Sequence, residues 1–167
     1  MSARDAILSS IRAAAVPPSP AAPPIARATS TTNPLEQFLQ ALASVGGHGI
    51  VRRADQTIAS VVADFAGVDR ADMVVVPGRF AVAENGAVYV DAADLGARAD
   101  IVRAEHLVLV VPAAALVPTM HEAVGLVPSG SACGWFLSGP SKTADIEQSL
   151  VVGAQGARTL HVILDAG

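Results

Sequence analysis

The segment Ser138 to Glu147, SGPSKTADIE, holds residues whose types and spacing suit the binding of an anion. It follows an apolar run that predicts a strand and precedes an apolar-periodic run that predicts a helix. At such a junction, free backbone N–H groups and the helix dipole favour an anion. The segment also supplies a cation and several hydroxyl groups. The candidate ligand-binding residues are Ser138, Gly139, Ser141, Lys142, Thr143 and Asp145.

A purely structural interpretation of this segment is also open. Ser141 or Thr143 can cap the predicted helix, while Asp145 complements the helix dipole. The segment is not a P-loop, because Ser141 stands where that motif has a Gly immediately before its Lys. Spacing alone favours the helix-start interpretation, although one loop can both cap a helix and face an anion.

Glu84, in the segment AENG at residues 83–86, is the candidate catalytic residue. A Glu at a tight turn can act as a nucleophile or a general base when burial raises its pKa. The alternative is a solvated side chain beside a hairpin, and the local sequence favours it. Asn85-Gly86 between alternating apolar residues is a strong signal for a hairpin turn.

Histidine and cysteine residues predict no metal site in this chain. His48, His106, His121 and His161 are scattered and lack the paired spacing of a zinc-binding helix. His161 lies in an aliphatic run, so a hydrogen-bonded His in the core or at an edge is expected. Cys133 is the single cysteine, which excludes an internal disulfide and cannot by itself hold an iron–sulfur cluster.

Composition predicts an α/β domain with an aliphatic core. Of the 167 residues, 51% are hydrophobic, 16% are charged and only 4% are aromatic. The net charge of −4 argues against nucleic-acid binding. No apolar run approaches the roughly 18 residues of a membrane span. The first residues lack the apolar core of a signal peptide, so a cytoplasmic protein is expected.

The order of predicted elements gives the fold class and the domain organisation. Helices are predicted at residues 2–15, 33–45, 55–66, 117–124 and 143–152, and strands at 49–51, 73–78, 107–112, 134–139 and 159–164. This alternation predicts a mainly parallel sheet between helical layers. Residues 1–32 are expected to form a tethered helix and a Pro-rich linker, and residues 33–167 the α/β domain.

At SGPSKTADIE and at the closing strand LHVIL, the chain resembles the lactate utilization protein C family, which carries the LUD domain. The segments AILSSIR and AVAENGAVYV and the Pro-rich linker are also similar to that family. The chain departs from the family pattern where Lys142 replaces a common Arg, Asn85 a Thr, Gln155 the usual His and Ala157 the usual Pro.

The resemblance implies a fold like that of the sugar-phosphate isomerase and CoA-transferase superfamily. It also implies a role in oxidising L-lactate to pyruvate, as an accessory subunit without its own cofactor, beside iron–sulfur partner proteins that carry the electrons. The alternative is a stand-alone enzyme or binding module for a small anion, such as a CoA ester, a sugar phosphate or a folate. In that fold, Glu84 is expected near the loop at residues 138–143.

Overall fold

The structure is a computed structural model that describes residues 2–14, 33–65, 70–144 and 150–167. The chain divides into two units, residues 1–30 and 31–167, and each is described by itself. The first unit contains helix α1 (Ala3–Ala13), which begins with the predicted cap. The Ser2 hydroxyl accepts the Asp5 N–H at 3.2 Å, and the Asp5 carboxylate accepts the Ser2 N–H at 3.1 Å. Most of the predicted linker lies outside the described residues, and the division at residue 32 stays a prediction.

Within the described ranges, the second unit contains four α-helices and ten strands. The helices are α2 (Pro34–Ser44), α3 (Ile58–Ala63), α4 (Asp100–Arg103) and α5 (Met120–Leu126). The strands are β1 (His48–Arg52), β2 (Met73–Pro77), β3 (Phe80–Val82), β4 (Ala87–Asp91), β5 (His106–Pro112), β6 (Leu116–Val117), β7 (Gly134–Leu137), β8 (Lys142–Ala144), β9 (Leu150–Val152) and β10 (Thr159–Asp165).

A four-stranded parallel sheet in the order β1-β10-β5-β2 forms the centre of this unit. Ile163 of β10 pairs with Ile50 of β1 on one side and with Val110 of β5 on the other. Strands buried on both faces read as continuous aliphatic runs, which is why the central strands β5 and β10 were recognisable in the sequence. The predicted α/β class with a mainly parallel sheet is confirmed.

A second, mixed sheet in the order β6-β3-β4-β7 packs against the first and was not predicted. Its strands β3 and β4 are antiparallel, with Phe80 opposite Tyr89, and they are joined by the turn at residues 83–86. The hairpin predicted from Asn85-Gly86 is therefore confirmed. The sheet as a whole escaped prediction because β3 and β6 have only three and two residues, which is too short for a period to show.

Three apolar clusters hold the layers together. The largest lies between the parallel sheet, the mixed sheet and α2, and it includes Phe38 and Leu42, both 0% exposed. A second cluster packs the opposite face of the mixed sheet on α5 around Ala123. A third packs α3 on the outer face of the parallel sheet around Val61. The central sheet thus has α3 on one face, and α2 and the mixed sheet on the other.

The helix predicted over residues 143–152 is wrong for the part that the structure describes. Residues 142–144 and 150–152 form the antiparallel strands β8 and β9, with Thr143 opposite Val151. Residues 145–149, including the candidate Asp145, lie outside the described residues. Thr143, Val151 and Val152 are β-branched, and such side chains favour strands over helices.

Threonine caps set the starts of two helices later than the sequence pattern predicts. Thr57 accepts the N–H of Ser60 at 3.1 Å and starts α3. Thr119 accepts the N–H of Glu122 at 3.2 Å and starts α5.

In the described ranges, every helix is too short or too polar to cross a bilayer.

Candidate functional site

The loop between β7 and β8 lies against the carboxyl end of α2. The Ser138 hydroxyl donates a hydrogen bond to the carbonyl oxygen of Asn85 at 2.8 Å. The Lys142 ammonium donates to the carbonyl oxygen of Val45 at 2.5 Å. The loop predicted to bind an anion thus joins the 83–86 turn to the end of a helix.

Two glycines allow this close approach. Gly139 has φ +75°, and a Cβ there would lie 2.5 Å from the carbonyl oxygen of Val45. Gly86 has φ +68°, and a Cβ there would lie 2.6 Å from the backbone nitrogen of Leu42. A side chain at either position would meet both a strained backbone and occupied space. The 83–86 turn and the β7–β8 loop are therefore built to pack on α2.

Lys142, the single lysine of the chain, binds the end of a helix in this structure. Its ammonium contacts a carbonyl just beyond α2, where the helix dipole is negative and where α2 has no basic residue in its last turn. Thr143 lies in β8, so it does not cap a helix. The helix-cap interpretation of Thr143 is therefore wrong, and the anion-binding role of Lys142 stays a prediction.

We expect Lys142→Ala to destabilise the protein by about 0.5–1 kcal/mol, because it removes a charged donor from the end of α2. Lys142→Arg keeps the charge and should restore most of the loss. Thr143→Ala is the matched control on the neighbouring residue and should show no loss from a helix cap. Urea unfolding followed by circular dichroism measures all three. An unchanged unfolding midpoint for Lys142→Ala would contradict the helix-end role.

Glu84 is held at the start of a different helix. Its Oε2 accepts the N–H of Met120 at 2.7 Å, at the first residue of α5, and the side chain is exposed. A carboxylate there satisfies a free helix N–H and complements the dipole. The backbone of the adjacent Asn85 contacts Ser138, so the turn and the loop do meet as expected. The Glu84 carboxylate itself is hydrogen-bonded to the first turn of α5. Its catalytic role stays a prediction.

A pocket of about 250 Å³ opens beside the β7–β8 loop. Its polar lining includes Ser141 and Gln155, the position where the family pattern has His. Its walls are otherwise apolar, from residues such as Trp135, Leu137 and Leu160. Ser141 is fixed there, since its N–H donates to Ala157 at 2.8 Å and its carbonyl accepts from Gly153 at 2.9 Å. None of the described residues that line this pocket is charged, so it suits a neutral or apolar group better than an anion.

Charged residues meet in a second pocket, of about 310 Å³, which sequence reasoning missed. Arg79 follows β2, Asp91 ends β4, and Arg98 and Ser131 come from two loops. Asp91 is only 2% exposed. A hydrogen bond from the Ala93 N–H is the main cause that lowers the pKa of Asp91 below its ordinary value, with Ser131 and the Arg79 charge adding to it. The one signal in the sequence was a charged residue directly at the end of a buried strand.

A third pocket, of about 480 Å³, is lined by a stack of rings. His161 lies between His48, at 5.1 Å, and Phe65, at 4.2 Å, measured between ring centroids. Burial, then the neighbouring His48 and His106, lowers the pKa of His161 to about 4. The expected hydrogen-bonded His is not observed, since its buried Nδ1 has no partner among the residues that the structure describes. Those same residues include no group of three or more His, Cys, Asp or Glu arranged to hold a metal ion.

A parallel sheet packed against a mixed sheet, with helices on the outer faces of both, defines an α/β protein. The model of the LUD domain family matches residues 66–164, so the chain belongs to the LUD domain family. The resemblance inferred from SGPSKTADIE and LHVIL is thereby confirmed.

Similar proteins carry one recurring name. Lactate utilization protein C 1 of Bacillus mycoides is 35% identical over 103 residues, which cover 57% of this chain and 44% of that protein. Lactate utilization protein C of Deinococcus radiodurans is 38% identical over 104 residues, which cover 59% of this chain and 49% of that protein. The aligned part thus spans a little under half the length of these relatives.

A solved structure shares the fold. The crystal structure of a DUF162 family protein from Deinococcus radiodurans superposes with a TM-score of 0.59 at 20% sequence identity. The superposition covers 80% of this chain and 96% of that one. At this identity the likeness supports the α/β fold, and it carries no statement about activity.

Proposed function

We propose that this chain serves an L-lactate oxidation system as an accessory component that acts with iron–sulfur partner proteins. One observation carries the proposal. The LUD domain match at residues 66–164 agrees with relatives named lactate utilization protein C, which are 35% and 38% identical over 103 and 104 residues. Oxidation of lactate to pyruvate releases two electrons, so the system needs a group that accepts them.

In this proposal the partner proteins supply the iron–sulfur clusters. An iron–sulfur cluster requires several thiolates, and the chain has one cysteine, the partly buried Cys133. Electrons would then leave through another chain. Strand β9 offers a surface of the kind that partners use, since Leu150, Val151 and Val152 are 62%, 43% and 44% exposed.

A second function, the binding of a small anion, is favoured by the pocket that contains Arg79 and Arg98. Guanidinium groups recognise carboxylates and phosphates. A binding module and an accessory subunit are compatible, because a component that holds lactate or pyruvate can act beside one that carries electrons.

Deletion of the gene tests the proposed role. We expect the deletion strain to lose growth on L-lactate as sole carbon source, to keep growth on pyruvate, and to recover with the wild-type gene. Affinity purification of the tagged wild-type protein from lactate-grown cells should also recover cysteine-rich iron–sulfur proteins, identified by mass spectrometry. Unchanged growth of the deletion strain on L-lactate would refute the proposal.

A charge placed on β9 tests the partner surface separately. Leu150→Glu should reduce the recovery of those partners several-fold without changing the thermal midpoint, because the side chain is 62% exposed. Val124→Glu is the matched control, since Val124 is 58% exposed on α5. Equal loss of partners in both variants would mean that β9 is not the contact surface.

A further inference from the structure

Asp91 is a buried charge that caps a short helical turn through one oxygen and lines a pocket. Among the described residues it is the only charged side chain that is buried, at 2% exposure. Burying a carboxylate costs free energy unless charges and donors compensate it. Buried ionised groups that face a pocket are characteristic of functional sites, and Asp91 lines the 310 Å³ pocket with Arg79, Arg98 and Ser131.

The Asp91 carboxylate can accept a further hydrogen bond from a ligand in the pocket. Oδ1 accepts the Ala93 N–H at 2.9 Å. Oδ2 is 3.3 Å from the Tyr89 hydroxyl and 3.5 Å from Arg79 Nη1, both long contacts. The Ser131 hydroxyl, which also helps to lower the pKa of Asp91, makes its 3.1 Å hydrogen bond to the carbonyl oxygen of Cys133. Two carboxylate oxygens together offer about four acceptor positions. A ligand that brings a hydrogen-bond donor would therefore improve the compensation of this charge.

The two arginines of the pocket differ in their ion pairs: Arg79 is paired with Asp94, and Arg98 has no partner among the described residues. Arg79 is committed to Asp94, with Nε at 2.5 Å from Oδ2 and Nη2 at 3.1 Å from Oδ1. This fork fixes the side chain beside Asp91. Arg98 is exposed and makes no ion pair or hydrogen bond with any residue in the described ranges. Its positive charge is therefore not neutralised by any carboxylate among the residues that the structure describes.

We propose that this pocket binds a small organic acid that carries a hydroxyl group next to its carboxylate. Arg98 pairs with the carboxylate of the acid, and Asp91 accepts a hydrogen bond from its hydroxyl. A volume of about 310 Å³ suits a small ligand. The matching 2-oxo acid has no hydroxyl to donate, so its carbonyl oxygen would face the negative charge of Asp91. That L-lactate is one such acid rests on the proposed function, whereas the preference for a hydroxy acid rests on the pocket alone.

Titration of the full chain with four probes tests the recognition. L-lactate and D-glycerate carry the hydroxyl, pyruvate lacks it, and inorganic phosphate tests for simple attraction to charge. Protein amide NMR shifts at neutral pH give each dissociation constant. We expect a hydroxy acid to bind about 10-fold more tightly than pyruvate, as one hydrogen bond to a charged group implies. Phosphate should bind more weakly than the preferred hydroxy acid.

Two variants assign the roles within the pocket. Arg98→Ala should weaken the binding of both lactate and pyruvate by about 10-fold. Because the Arg98 side chain is exposed, the variant should remain folded. Arg103→Ala removes the same charge from an exposed position on α4, outside the pocket, and should bind the probes as the wild type does. Asp91→Asn keeps the shape but loses the charge, and it should abolish the preference for the hydroxy acid. Thermal unfolding checks that this variant is folded.

The possible outcomes separate this inference from the proposed function. Binding of D-glycerate without L-lactate supports the hydroxy-acid pocket and removes L-lactate as its ligand, while growth of the deletion strain decides the lactate role. Equal binding of pyruvate and hydroxy acids, phosphate binding as tight as theirs, or an Arg98→Ala variant that binds like the wild type would each overturn the inference. So would the absence of binding by all four probes.

Discussion

Gly86→Ala is expected to destabilise the protein by about 2–5 kcal/mol, the largest effect of any single methyl group that we predict. Two costs add together. The residue has φ +68°, a conformation that L side chains disfavour, and the new Cβ would lie 2.6 Å from the nitrogen and 2.7 Å from the Cα of Leu42. Those atoms belong to the backbone of α2, so rotation of a side chain cannot relieve the contact. Urea unfolding followed by circular dichroism gives the free energy.

Gly96→Ala is the matched control for this effect. A Cβ at Gly96 would meet nothing within 4 Å, and the residue is exposed. The free energy of unfolding should change by less than about 0.5 kcal/mol. A loss at Gly86 no larger than the loss at Gly96 would show that the 83–86 turn does not pack on α2 as described.

The Gly86 contact explains how much of this region the sequence could predict. Asn85-Gly86 predicted the hairpin because a tight turn needs residues that accept positive φ, and Gly86 has φ +68°. The Asn85-Gly86 pair does not indicate that the turn packs on α2, because the contacting residue Leu42 is more than 40 residues earlier in the chain. For the same reason, Glu84 could be located at a turn, but its bond to Met120, 36 residues on, could not.

Local patterns predicted the parallel sheet well because each buried strand is a continuous aliphatic run. They failed at residues 143–152, where an apolar run with β-branched residues suits both a helix and a strand, and pairing across β8 and β9 decides between them. The pocket around Asp91 was missed for a different reason. Arg79, Arg98 and Ser131 come from three separate loops, and only the packing of the two sheets brings them together.

Lys142 shows why a functional motif can have a structural meaning. Its position after Gly-Pro-Ser suggested an anion site, yet its ammonium contacts the carbonyl of Val45 at the end of α2. A helix end is itself a partial negative charge. A cation in a loop is therefore equally suited to a phosphate and to a helix carboxyl end, and spacing along the chain cannot distinguish the two.

Stability is expected to fall as the pH is lowered from about 6.5 to about 4, because His161 is held neutral in the folded state. Burial first, and then the nearby His48 and His106, lowers its pKa from the ordinary 6.5 to about 4. Between these values the unfolded chain binds a proton that the folded protein does not bind, so acid favours unfolding. Above about pH 6.5 both states are neutral at this residue, and the effect disappears.

The expected loss is about 1–2 kcal/mol by pH 4.5. A fully buried ring with this pKa would destabilise the folded state by about 3 kcal/mol. Solvent around the half-buried His161 ring screens part of that free energy. Hydrogen bonds hold the pKa values of Asp91 and Asp165 below their ordinary value, so these two carboxylates lose their stabilising contribution only at more acidic pH. Urea unfolding at intervals from pH 7.5 to pH 4.5 measures the slope.

His161→Phe separates this residue from the other histidines. A phenyl ring keeps the stacking with Phe65, at 4.2 Å in the wild type, and cannot take a proton. The variant should lose most of the pH dependence in this window and should be at least as stable as the wild type at pH 5. His121→Phe is the control, since His121 is exposed on α5 and lies outside the ring stack. If the slope survives in His161→Phe, or if it disappears equally in His121→Phe, the stacked, neutral His161 is not the group that makes the fold sensitive to acid.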